Sequence, residues 1–438
     1  MFTRYTFSKI KLALFMSLAC GMNTSSIAQQ WTLHSSVQQA ISTSPELQKS
    51  MAEIGSRQAE IGLSSLWPDP EIGFRIDNKL GQDDGTGGYD LTDITVSQSI
   101  PMSRIKYQES AAQASFKAAR FAQQHKTLEV QNRVSKVFHQ LQFATAKLTL
   151  AKKQLKLADE LNSKTKKNDQ GAVVRYLTPL EKMRLTIIRE EAGQAESNAE
   201  GKYYEALNEF AKLLVVDIDS VNAVSELLPI TSIPDLSLFM ESQESHAQLS
   251  SQQQEVLAAN HEIEVARSSQ SIDPTIGLSW SRDTFDYGRD DIYAVMFNIQ
   301  IPLSDRKNTA ASKATYKASQ QRIELQLLKR ELKINLNRSY THLNHIVEQA
   351  EDYKKKVLKP AQTMLDLTNK GFTSGELSIL SLVDANNTYF EARLNYLDLL
   401  YQARIELAEV KLFAGQLIND VDAEKASSSH VSSNGLGE

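Results

Sequence analysis

The sequence predicts a mainly α-helical protein with a small β part, built from two copies of one unit. The segment Pro70–Phe74 returns 204 residues later as Pro274–Leu278. The segment Ser99–Ser103 returns 201 residues later as Gln300–Ser304, because the second copy has a shorter loop just before it. Residues 106–168 contain neither proline nor glycine and are rich in good helix formers. The repeated unit is therefore expected to be helix, strand, turn, strand, very long helix, tight turn and long helix.

Composition narrows the class of protein. The chain has 438 residues, of which 41% are apolar, and its mean hydropathy is -0.36. A polytopic helical membrane protein would be far more apolar, and no stretch of 18 apolar residues follows residue 28. The net charge of -5 gives no support for nucleic-acid binding, which prefers a basic face.

The first 28 residues are predicted to be an export signal that is removed. Arg4 and Lys9 precede a short apolar stretch, 12–21, which is too short to span a bilayer. Residues 26–28 (Ser-Ile-Ala) fit a cleavage site with small residues, so the mature chain is expected to begin at Gln29. An exported chain without a transmembrane helix is periplasmic, secreted, or a β-barrel in an outer membrane.

The single cysteine, Cys20, lies in this segment. Lipidation of Cys20 is an alternative, although Ser17 stands three places earlier, where a lipoprotein signal needs an aliphatic residue. Removal of residues 1–28 leaves a mature chain without cysteine. Such a chain has no disulfides, no thiol catalysis and no cysteine-ligated metal.

Two helical hairpins are predicted, one in each copy. The first long helix, 106–168, would extend about 94 Å at the rise of an α-helix. Its counterpart, 308–370, is interrupted only by Pro360, which is expected to kink the helix or mark a junction. Helices near 180–214 and 377–413 would run back. Apolar residues recur every three or four positions along the second long helix, as in coiled-coil packing. They are Leu325, Leu328, Leu332, Leu336, Leu343, Ile346, Ala350, Tyr353 and Val357, and Ser339 fills the remaining position of the stripe.

Four short segments alternate between apolar and polar or small residues with a period of two. These segments are 72–77, 93–97, 276–281 and 293–301. This pattern is typical of an outer-membrane strand, apolar toward lipid and polar inward. Two ordinary hairpins packed on helices are the alternative interpretation. The connecting loops, 81–88 and 283–291, are rich in glycine and aspartate, which predicts exposed turns.

Four strands cannot close a membrane barrel, because single-chain barrels start at eight strands. Open sheet edges are not tolerated in hydrocarbon. If these strands span a membrane, several chains must therefore share one barrel, and the total must be a multiple of four. Three chains would give twelve strands.

Three segments carry a resemblance to a known family. They are Pro-Asp-Pro-Glu-Ile at 68–72, Gln-Ser-Ile-Pro at 98–101, and above all Lys-Gly-Phe-Thr-Ser-Gly-Glu-Leu-Ser-Ile-Leu-Ser-Leu-Val-Asp-Ala at 370–385. With these segments and its duplicated order, the chain resembles the TolC family of outer-membrane efflux proteins over about 31–415. The first two segments look closest to the heavy-metal, CzcC-like branch of that family.

The resemblance implies a homotrimer with a twelve-stranded β-barrel in the outer membrane of a Gram-negative bacterium. A helical α-barrel would continue from it through the periplasm. A periplasmic adaptor protein and an inner-membrane pump, of the RND type, would dock at the inner end, and outer-membrane lipid would surround the strands. Substrates would pass through without chemistry. The alternatives are the exit duct of a type I secretion system and an exported coiled-coil scaffold without a pore.

The resemblance also places a tunnel aperture near the start of the last helix. Asp384 matches a family aspartate that points into the tunnel mouth, and Ser381 stands where the family's best-known pore has a second aspartate. Phe372 and Leu377 stand where that pore has a tyrosine and an arginine that hold its closed mouth together. This chain is therefore expected to hold its mouth by other contacts, or more loosely. A ring of Asp384 carboxylates would favour cations; the alternative is a solvated aspartate near a helix N-terminus.

Two further groups of residues are predicted to make contacts. The hairpin tips that would meet an adaptor comprise Gly171, Val174, Leu177, Gly375 and Leu380, although packing within the hairpin is an alternative for the leucines. The strands would face lipid with Phe74, Ile76, Trp280, Val295 and Phe297. The interface between lipid headgroups and water has three candidates, namely Trp31, Trp67 and Trp280.

The expected domain boundaries follow from the repeat. Residues 1–28 are the signal peptide, and residues 416–438 are expected to be a disordered tail. The first repeat covers 29–226, with its strand pair at 70–100 and its hairpin tip near 171. A linker or equatorial element, 227–238, joins it to the second repeat, 239–415, which has its strand pair at 274–301 and its tip near 375.

No enzyme is expected. The sequence contains no phosphate-binding glycine loop, no paired His-Glu metalloprotease motif and no nucleophile elbow. His342 and His345 lie one helical turn apart and could touch one metal ion, but only Glu348 lies in the next turn. The pair is interpreted as part of a solvated face, and neither a metal site nor a cofactor is predicted.

Overall fold

The structure is a computed structural model that describes residues 31–77, 91–101, 103–164, 178–221, 223–268, 273–285, 288–299 and 305–418. The helices are α1 Leu33–Thr43, α2 Pro45–Ser64, α3 Arg104–Lys164, α4 Pro179–Leu214, α5 Leu236–Glu244, α6 Ala247–Ser268, α7 Arg306–Tyr353, α8 Lys359–Thr373 and α9 Ile379–Ala414. The strands are β1 Glu71–Asp77, β2 Leu91–Ser99, β3 Thr275–Phe285 and β4 Gly288–Asn298. A short 3-10 helix covers Ile218–Ser220.

The two halves of the chain contain the same elements in the same order. Two helices, a strand pair and a long helical hairpin form the first half (α1 to α4) and then the second (α5 to α9). The equivalent helices α4 and α9 both end in the left-handed region, at Val215 (φ 55°) and Gly415 (φ 72°). The predicted fold class, mainly helical with a small sheet, is confirmed.

The helix α3 is 61 residues long, which corresponds to about 90 Å. Its counterpart in the second half is divided. A single π turn, Lys354–Leu358, separates α7 from α8, and Pro360 stands at the start of α8. Proline has no N–H and its ring would clash with the carbonyl four residues earlier, and a π turn at this point relieves both problems. The structure thus has a junction at the predicted place.

The hairpins are held by apolar seams rather than by one globular core. In the first half, Phe138 and Phe210 are almost completely buried where α3 meets α4. In the second half, Leu336 and Leu343 have no exposed surface between α7 and α9. These positions recur at the spacing of a coiled-coil seam, so the stripe predicted along the second long helix is confirmed as far as Ala350. The prediction is wrong for Val357, which is 39% exposed, because the π turn Lys354–Leu358 shifts the helical phase and Leu358 is buried instead.

Trp31 belongs to the helical core. Its ring packs edge-on against Phe210, with 5.8 Å between the ring centroids. Its backbone also forms a short parallel bridge with Val224. The prediction of a lipid-headgroup position for Trp31 is therefore wrong. A tryptophan close to the chain start and one near a membrane strand look alike in sequence.

The four strands form one antiparallel sheet in the order β1-β2-β3-β4. The β2–β3 pairing joins the two halves of the chain, with Ser99 opposite Thr275 and Leu91 opposite Asp283. The exposed turn predicted at 283–291 is too long, because β3 continues to Phe285 and β4 begins at Gly288. The polar residues there pair across the strands instead of forming a loop. The other predicted turn, 81–88, lies outside the described residues.

A buried histidine makes the helical part sensitive to pH. The Nδ1 of His139 lies 2.7 Å from Oε1 of Gln142. The Nε2 of Gln142 in turn donates to the carbonyl of Ser225 (2.8 Å). Burial lowers the pKa of His139 from 6.5 to about 4. The unfolded chain therefore takes up a proton near pH 6.5 and the folded chain only near pH 4. The contribution of neutral His139 to the free energy of unfolding is therefore fully present above pH 6.5 and is lost as the pH falls from 6.5 toward 4.

We expect the stability to fall by roughly 2 kcal/mol between pH 7.5 and pH 5 through His139 alone. Denaturant unfolding followed by the helical signal at both pH values measures this difference. The variant His139→Gln, which stays neutral, should lose that share of the pH dependence. An identical pH dependence in the variant would assign the effect to other groups.

Candidate functional site

The sheet presents one continuous apolar face. Its rows align across all four strands, because the strand pairing places apolar residues opposite one another. One row contains Ile72, Val96, Leu278 and Val295; the next contains Phe74, Ile94, Trp280 and Tyr293. Phe74 is 74% exposed, Val295 77% and Phe297 61%. Large apolar side chains this exposed need a partner outside the chain, because isolated soluble proteins rarely leave such a patch open.

The opposite face of the sheet is polar and lined by small residues. One row contains Gly73, Thr95, Ser279 and Ala294. Ser281 donates a hydrogen bond to Asp93 across the strands (2.9 Å). A Cβ at Gly73 would lie 2.5 Å from Oγ1 of Thr95, so glycine is needed there for the close approach of the strands. The alternation of lipid-type and water-type faces is the pattern of a transmembrane barrel strand.

A charged pair closes the far end of the β3–β4 hairpin. Arg282 donates two hydrogen bonds to Asp291 (2.8 and 3.1 Å), and its guanidinium lies 5.1 Å from the ring centroid of Trp280. At the other end of the sheet, Trp67 precedes β1 and is 56% exposed. Trp280 is the central residue of β3 and belongs to the apolar face itself.

The sheet has two edges without a partner strand. Among the described residues, β1 pairs only with β2, and β4 pairs only with β3. Each edge therefore presents a row of backbone N–H and C=O groups without a strand to receive them. In water an edge of this kind promotes aggregation through pairing with other chains, and in hydrocarbon its unpaired backbone groups are not tolerated.

At the opposite end of the molecule, a glycine turn joins α8 to α9. Gly375 has φ +80°, a conformation that side chains disfavour, and its N–H donates to the carbonyl of Phe372 (3.1 Å). The N–H groups of Glu376 and Leu377 both donate to the carbonyl of Gly371 (2.9 and 3.0 Å). The next helix then begins at Ser378, whose side chain accepts from the N–H of Ser381.

Leu377 closes the turn by packing on Gly371. A Cβ at Gly371 would lie 2.6 Å from Cδ1 and 2.9 Å from Cγ of Leu377. The variant Gly371→Val should therefore loosen the tip, at a cost of about 1–3 kcal/mol. Hydrogen exchange of the amides of 374–377 measures the effect. Gly55→Val in α2, where nothing lies within 4 Å of an added Cβ, is the matched control; equal changes in tip exchange would contradict this packing.

Of the four predicted aperture residues, Asp384, Ser381 and Leu377 are exposed and Phe372 is half-buried, as is Leu380, which was predicted to contact the adaptor. Asp384 and Ser381 are exposed and lie three residues apart on one face of α9. Phe372 and Leu380 are half-buried against an apolar cluster at the tip. That cluster comprises Leu161, Leu185, Ile379, Leu382 and Val383. Phe372 and Leu380 therefore hold the hairpins to one another, which matches the packing alternative for the leucine.

Asp384 stands on the rim of an open groove of about 460 Å³ between α4 and α9. The groove is lined by apolar and polar residues together: Leu180, Met183, Ile187, Ile188, Leu380 and Val383 with Arg184, Glu191, Asp384 and Asn387. Three predicted tip residues (Gly171, Val174 and Leu177) lie outside the described residues.

The exposed face of α9 carries more carboxylates than the family resemblance indicates. Glu391 and Asp398 follow Asp384 at intervals of seven residues, so all three lie on one side of the helix. Glu391 is exposed and Asp398 is half-exposed, and Gln402 donates to Asp398 (2.5 Å). The signal that could have found them is the heptad spacing of acidic residues along a helix whose other face is apolar.

His342 contacts a carboxylate. Its Nδ1 lies 2.8 Å from Oε1 of Glu406 on α9, and the neighbouring His345 is exposed. Within the described ranges, no three His, Cys, Asp or Glu side chains come together as metal ligands. None of the helices that the structure describes combines the length and the apolar character that crossing a bilayer requires.

Comparison with known proteins finds a family match in the second half of the chain. Residues 238–416 match the model of the outer membrane efflux protein family. Over 140 residues the chain is 29% identical to the cobalt-zinc-cadmium resistance protein CzcC of Cupriavidus metallidurans. That match covers 32% of this chain and 33% of CzcC, so it spans about a third of the length of this relative.

Solved structures extend the likeness to most of the chain. A structure of CusC, described with its transmembrane channel formation, matches with a TM-score of 0.71 at 16% identity. It covers 88% of this chain and 92% of CusC. The open state of the MtrE outer membrane channel of Neisseria gonorrhoeae matches with a TM-score of 0.69 at 16% identity, over 94% of this chain and 97% of MtrE.

The fold is that of solved outer-membrane channels. The family predicted from the three sequence segments is the one whose model matches the second half of the chain. This chain carries an outer membrane efflux protein domain in its second half and has the fold of solved outer-membrane channels over most of its length.

Proposed function

We propose that this protein is the outer-membrane channel of a tripartite efflux system. Its sheet lies in the outer membrane of a Gram-negative bacterium and its helical hairpins extend into the periplasm. The sheet carries the proposal, because it combines an exposed apolar face, a polar opposite face and two edges without a partner strand. This combination suits a segment of a barrel and does not suit a hairpin on a soluble body.

A homotrimer completes the barrel with the chain's own strands. Three copies of a four-stranded sheet supply twelve strands, an even number within the range of bacterial outer-membrane barrels. Trp67, which precedes β1, and Trp280, on the apolar face of β3, are the candidate aromatic residues for the headgroup regions. The α3 helix is long enough, at about 90 Å, to reach deep into the periplasm.

The partners act at the end far from the sheet. A periplasmic adaptor contacts the hairpin tips, around Gly375 and Leu380, and couples the channel to an inner-membrane pump of the RND type. The groove beside Asp384, which combines apolar and charged side chains, is a surface of suitable character for helical contacts. Purification of the tagged protein from gently solubilised membranes should retain the adaptor. Recovery of the channel without any periplasmic partner, from cells that express all three components, would count against a tripartite system.

The proposed substrates are heavy-metal ions, as in the CzcC-like branch of the family. The support is the likeness to a cobalt-zinc-cadmium resistance protein, together with the segments 68–72 and 98–101. Loss of the protein should lower the concentrations of zinc, cobalt or cadmium that stop growth, and leave tolerance to hydrophobic drugs unchanged. The opposite pattern would move the protein to the drug-exporting branch, and failure to secrete a large polypeptide would indicate a type I secretion duct.

A scaffold without a pore is the alternative from a different class. Such a scaffold explains the long helices but leaves the aligned apolar rows of the sheet without a role. Reconstitution in planar bilayers separates the two functions, since only the channel gives discrete conductance steps.

Asp384→Asn should reduce the cation preference of this conductance. Asp384 is exposed near the start of α9, and three copies would bring three carboxylates toward one axis. The preference is measured as the reversal potential in a salt gradient. Glu376→Gln, which removes a carboxylate from the turn just before α9, is the control and should change the potential less. An unchanged potential in Asp384→Asn would remove this residue from the pore.

A further inference from the structure

The junction between the two halves of the chain shows how a second copy can dock. We propose that neighbouring copies join by repeating this junction. The β4 strand of one copy pairs with β1 of the next, with Met296 opposite Arg75, and α2 of the next copy covers an apolar stripe on α7. This inference rests on the proposed function, in which copies share one barrel, and adds which residues meet.

The two hairpins of the sheet are equivalent residue for residue. The repeat places Thr275 of β3 204 residues after Glu71 of β1, and Asn298 of β4 201 residues after Ser97 of β2. Glu71 pairs with Ser97 in the first hairpin, and Thr275 pairs with Asn298 in the second. Adding 204 to a β1 residue number and 201 to its β2 partner thus gives a pair observed between β3 and β4. The same two spacings can therefore be used to predict other strand pairs.

Applied to the junction, these spacings give the register between copies. At the junction, Thr95 of β2 lies opposite Ser279 of β3. The equivalent of Thr95 on β4 is Met296, and the equivalent of Ser279 on β1 is Arg75. The next junction pair, Val96 with Leu278, becomes Phe297 with Phe74 in the same way.

This register matches the two faces of the sheet. It places Val295, Phe297 and Ile299 in the same rows as Ile76, Phe74 and Ile72, so the apolar face continues across the contact. A slip of one residue would turn the apolar set of one copy to the polar face of the other. A slip of two would keep the faces, so the repeat equivalence is what selects this register.

The helices give a second, independent match. The helix α3 begins at Arg104 and α7 begins 202 residues later, at Arg306. One face of α3 is covered by α6, where Ser251 donates to the carbonyl of Ala118 (2.9 Å) and the rings of His125 and His246 lie 5.4 Å apart.

The equivalent face of α7 is open in the single chain. At the same spacing, Ala114 and Phe121 of α3 correspond to Tyr316 and Ile323 of α7. Ala114 is buried, whereas Tyr316 is 78% exposed. The open stripe comprises Tyr316, Ile323, Leu327 and Ile334. Four large apolar residues at spacings of seven and four form the seam of a helix that lacks its partner.

The missing partner is the equivalent of α6, which is α2. The helix α2 begins at Pro45 and α6 begins at Ala247, and the buried residues Leu47 and Leu249 occupy the same position in each. If the next copy docks its β1 on β4, its α2 stands to α7 as α6 stands to α3. The strand contact and the helix contact thus demand the same neighbour in the same orientation.

Disulfide cross-linking tests the register in the whole protein. Cys20 is first replaced by serine, so that the chain contains no other cysteine. Arg75→Cys with Met296→Cys, and separately Phe74→Cys with Phe297→Cys, probe adjacent predicted pairs. Adjacent antiparallel pairs alternate between the wide and the close type, so one of the two is close enough for a disulfide. The controls move the β4 cysteine by four residues on the same face. They are Arg75→Cys with Ile292→Cys, and Phe74→Cys with Tyr293→Cys.

Oxidation in intact outer membranes should convert at least one predicted pair into a ladder of linked chains that ends at three and collapses on reduction. Each control pair should yield at least tenfold less disulfide-linked product. Equal or greater linking of a control would overturn the register. Chemical cross-linking of the parent protein separates this failure from that of the proposed function. Oligomers in the parent without linking of either predicted pair would overturn the inference alone, whereas a monomeric parent would overturn both.

Discussion

Replacing Val295 with arginine is expected to remove most of the protein from the outer membrane. Val295 is 77% exposed on the edge strand β4, where it ends an apolar row opposite Leu278. Arginine on the lipid face of a barrel costs about 2–4 kcal/mol near the midplane, and a trimer would meet that cost three times. The measurement is the amount of protein recovered in outer-membrane fractions, relative to the unaltered chain.

The neighbouring residue supplies the control for this prediction. Ala294 lies next to Val295 on β4 but belongs to the polar row with Ser279 and Thr95. Ala294→Arg should therefore leave the membrane fraction largely unchanged. Equal recovery of the two variants would mean that the apolar face does not contact lipid, and the account of the sheet would fail.

Phe210→Ala is expected to cost about 3–5 kcal/mol of stability. Phe210 has no exposed surface and contacts Phe138 on α3, at 6.1 Å between ring centroids, as well as Trp31. Its removal would leave a cavity where the first hairpin meets α1. Because the base of this hairpin supports β1 and β2 through α2 and α3, we expect less assembled protein as well.

The effect of Phe210→Ala is measured as the shift in the denaturant midpoint of the helical signal. Tyr204→Ala, on the exposed side of the same helix, is the matched control and should change the midpoint little. Similar shifts for both variants would show that the α3–α4 seam does not stabilise the first hairpin.

The long helices and the strands could be predicted because local chemistry dictates them. A span of good helix formers without proline or glycine has few alternatives, and α3 extends over almost all of the predicted 106–168 within the described residues. Pro360 likewise announces a break, since its ring cannot fit a regular helix interior. The strand segments follow from their period of two, which matches the observed register.

The errors arose where partners decide the structure. The turn expected at 283–291 is mostly strand, because Arg282 and Asp291 pair across it and favour extension over a loop. Trp31 lies in the core because Phe210, almost 180 residues away, offers it a surface. The packing of Leu377 on Gly371 also depends on the left-handed turn at Gly375, which composition alone does not show.

The candidate site was found only in part for a similar reason. Asp384 could be predicted from a family position, whereas Glu391 and Asp398 share its face only once α9 is known to be one continuous helix. Side chains that meet through a symmetry axis leave no trace in the spacing of a single chain.

Native mass spectrometry of the protein, extracted from outer membranes in mild detergent, tests the central claim most directly. The claim is that four strands are one third of a barrel that sister copies complete. The predicted result is a particle of three chains that persists when the protein is diluted well below its concentration in the outer membrane. A stable particle of one chain, with its sheet protected from exchange, would contradict the claim.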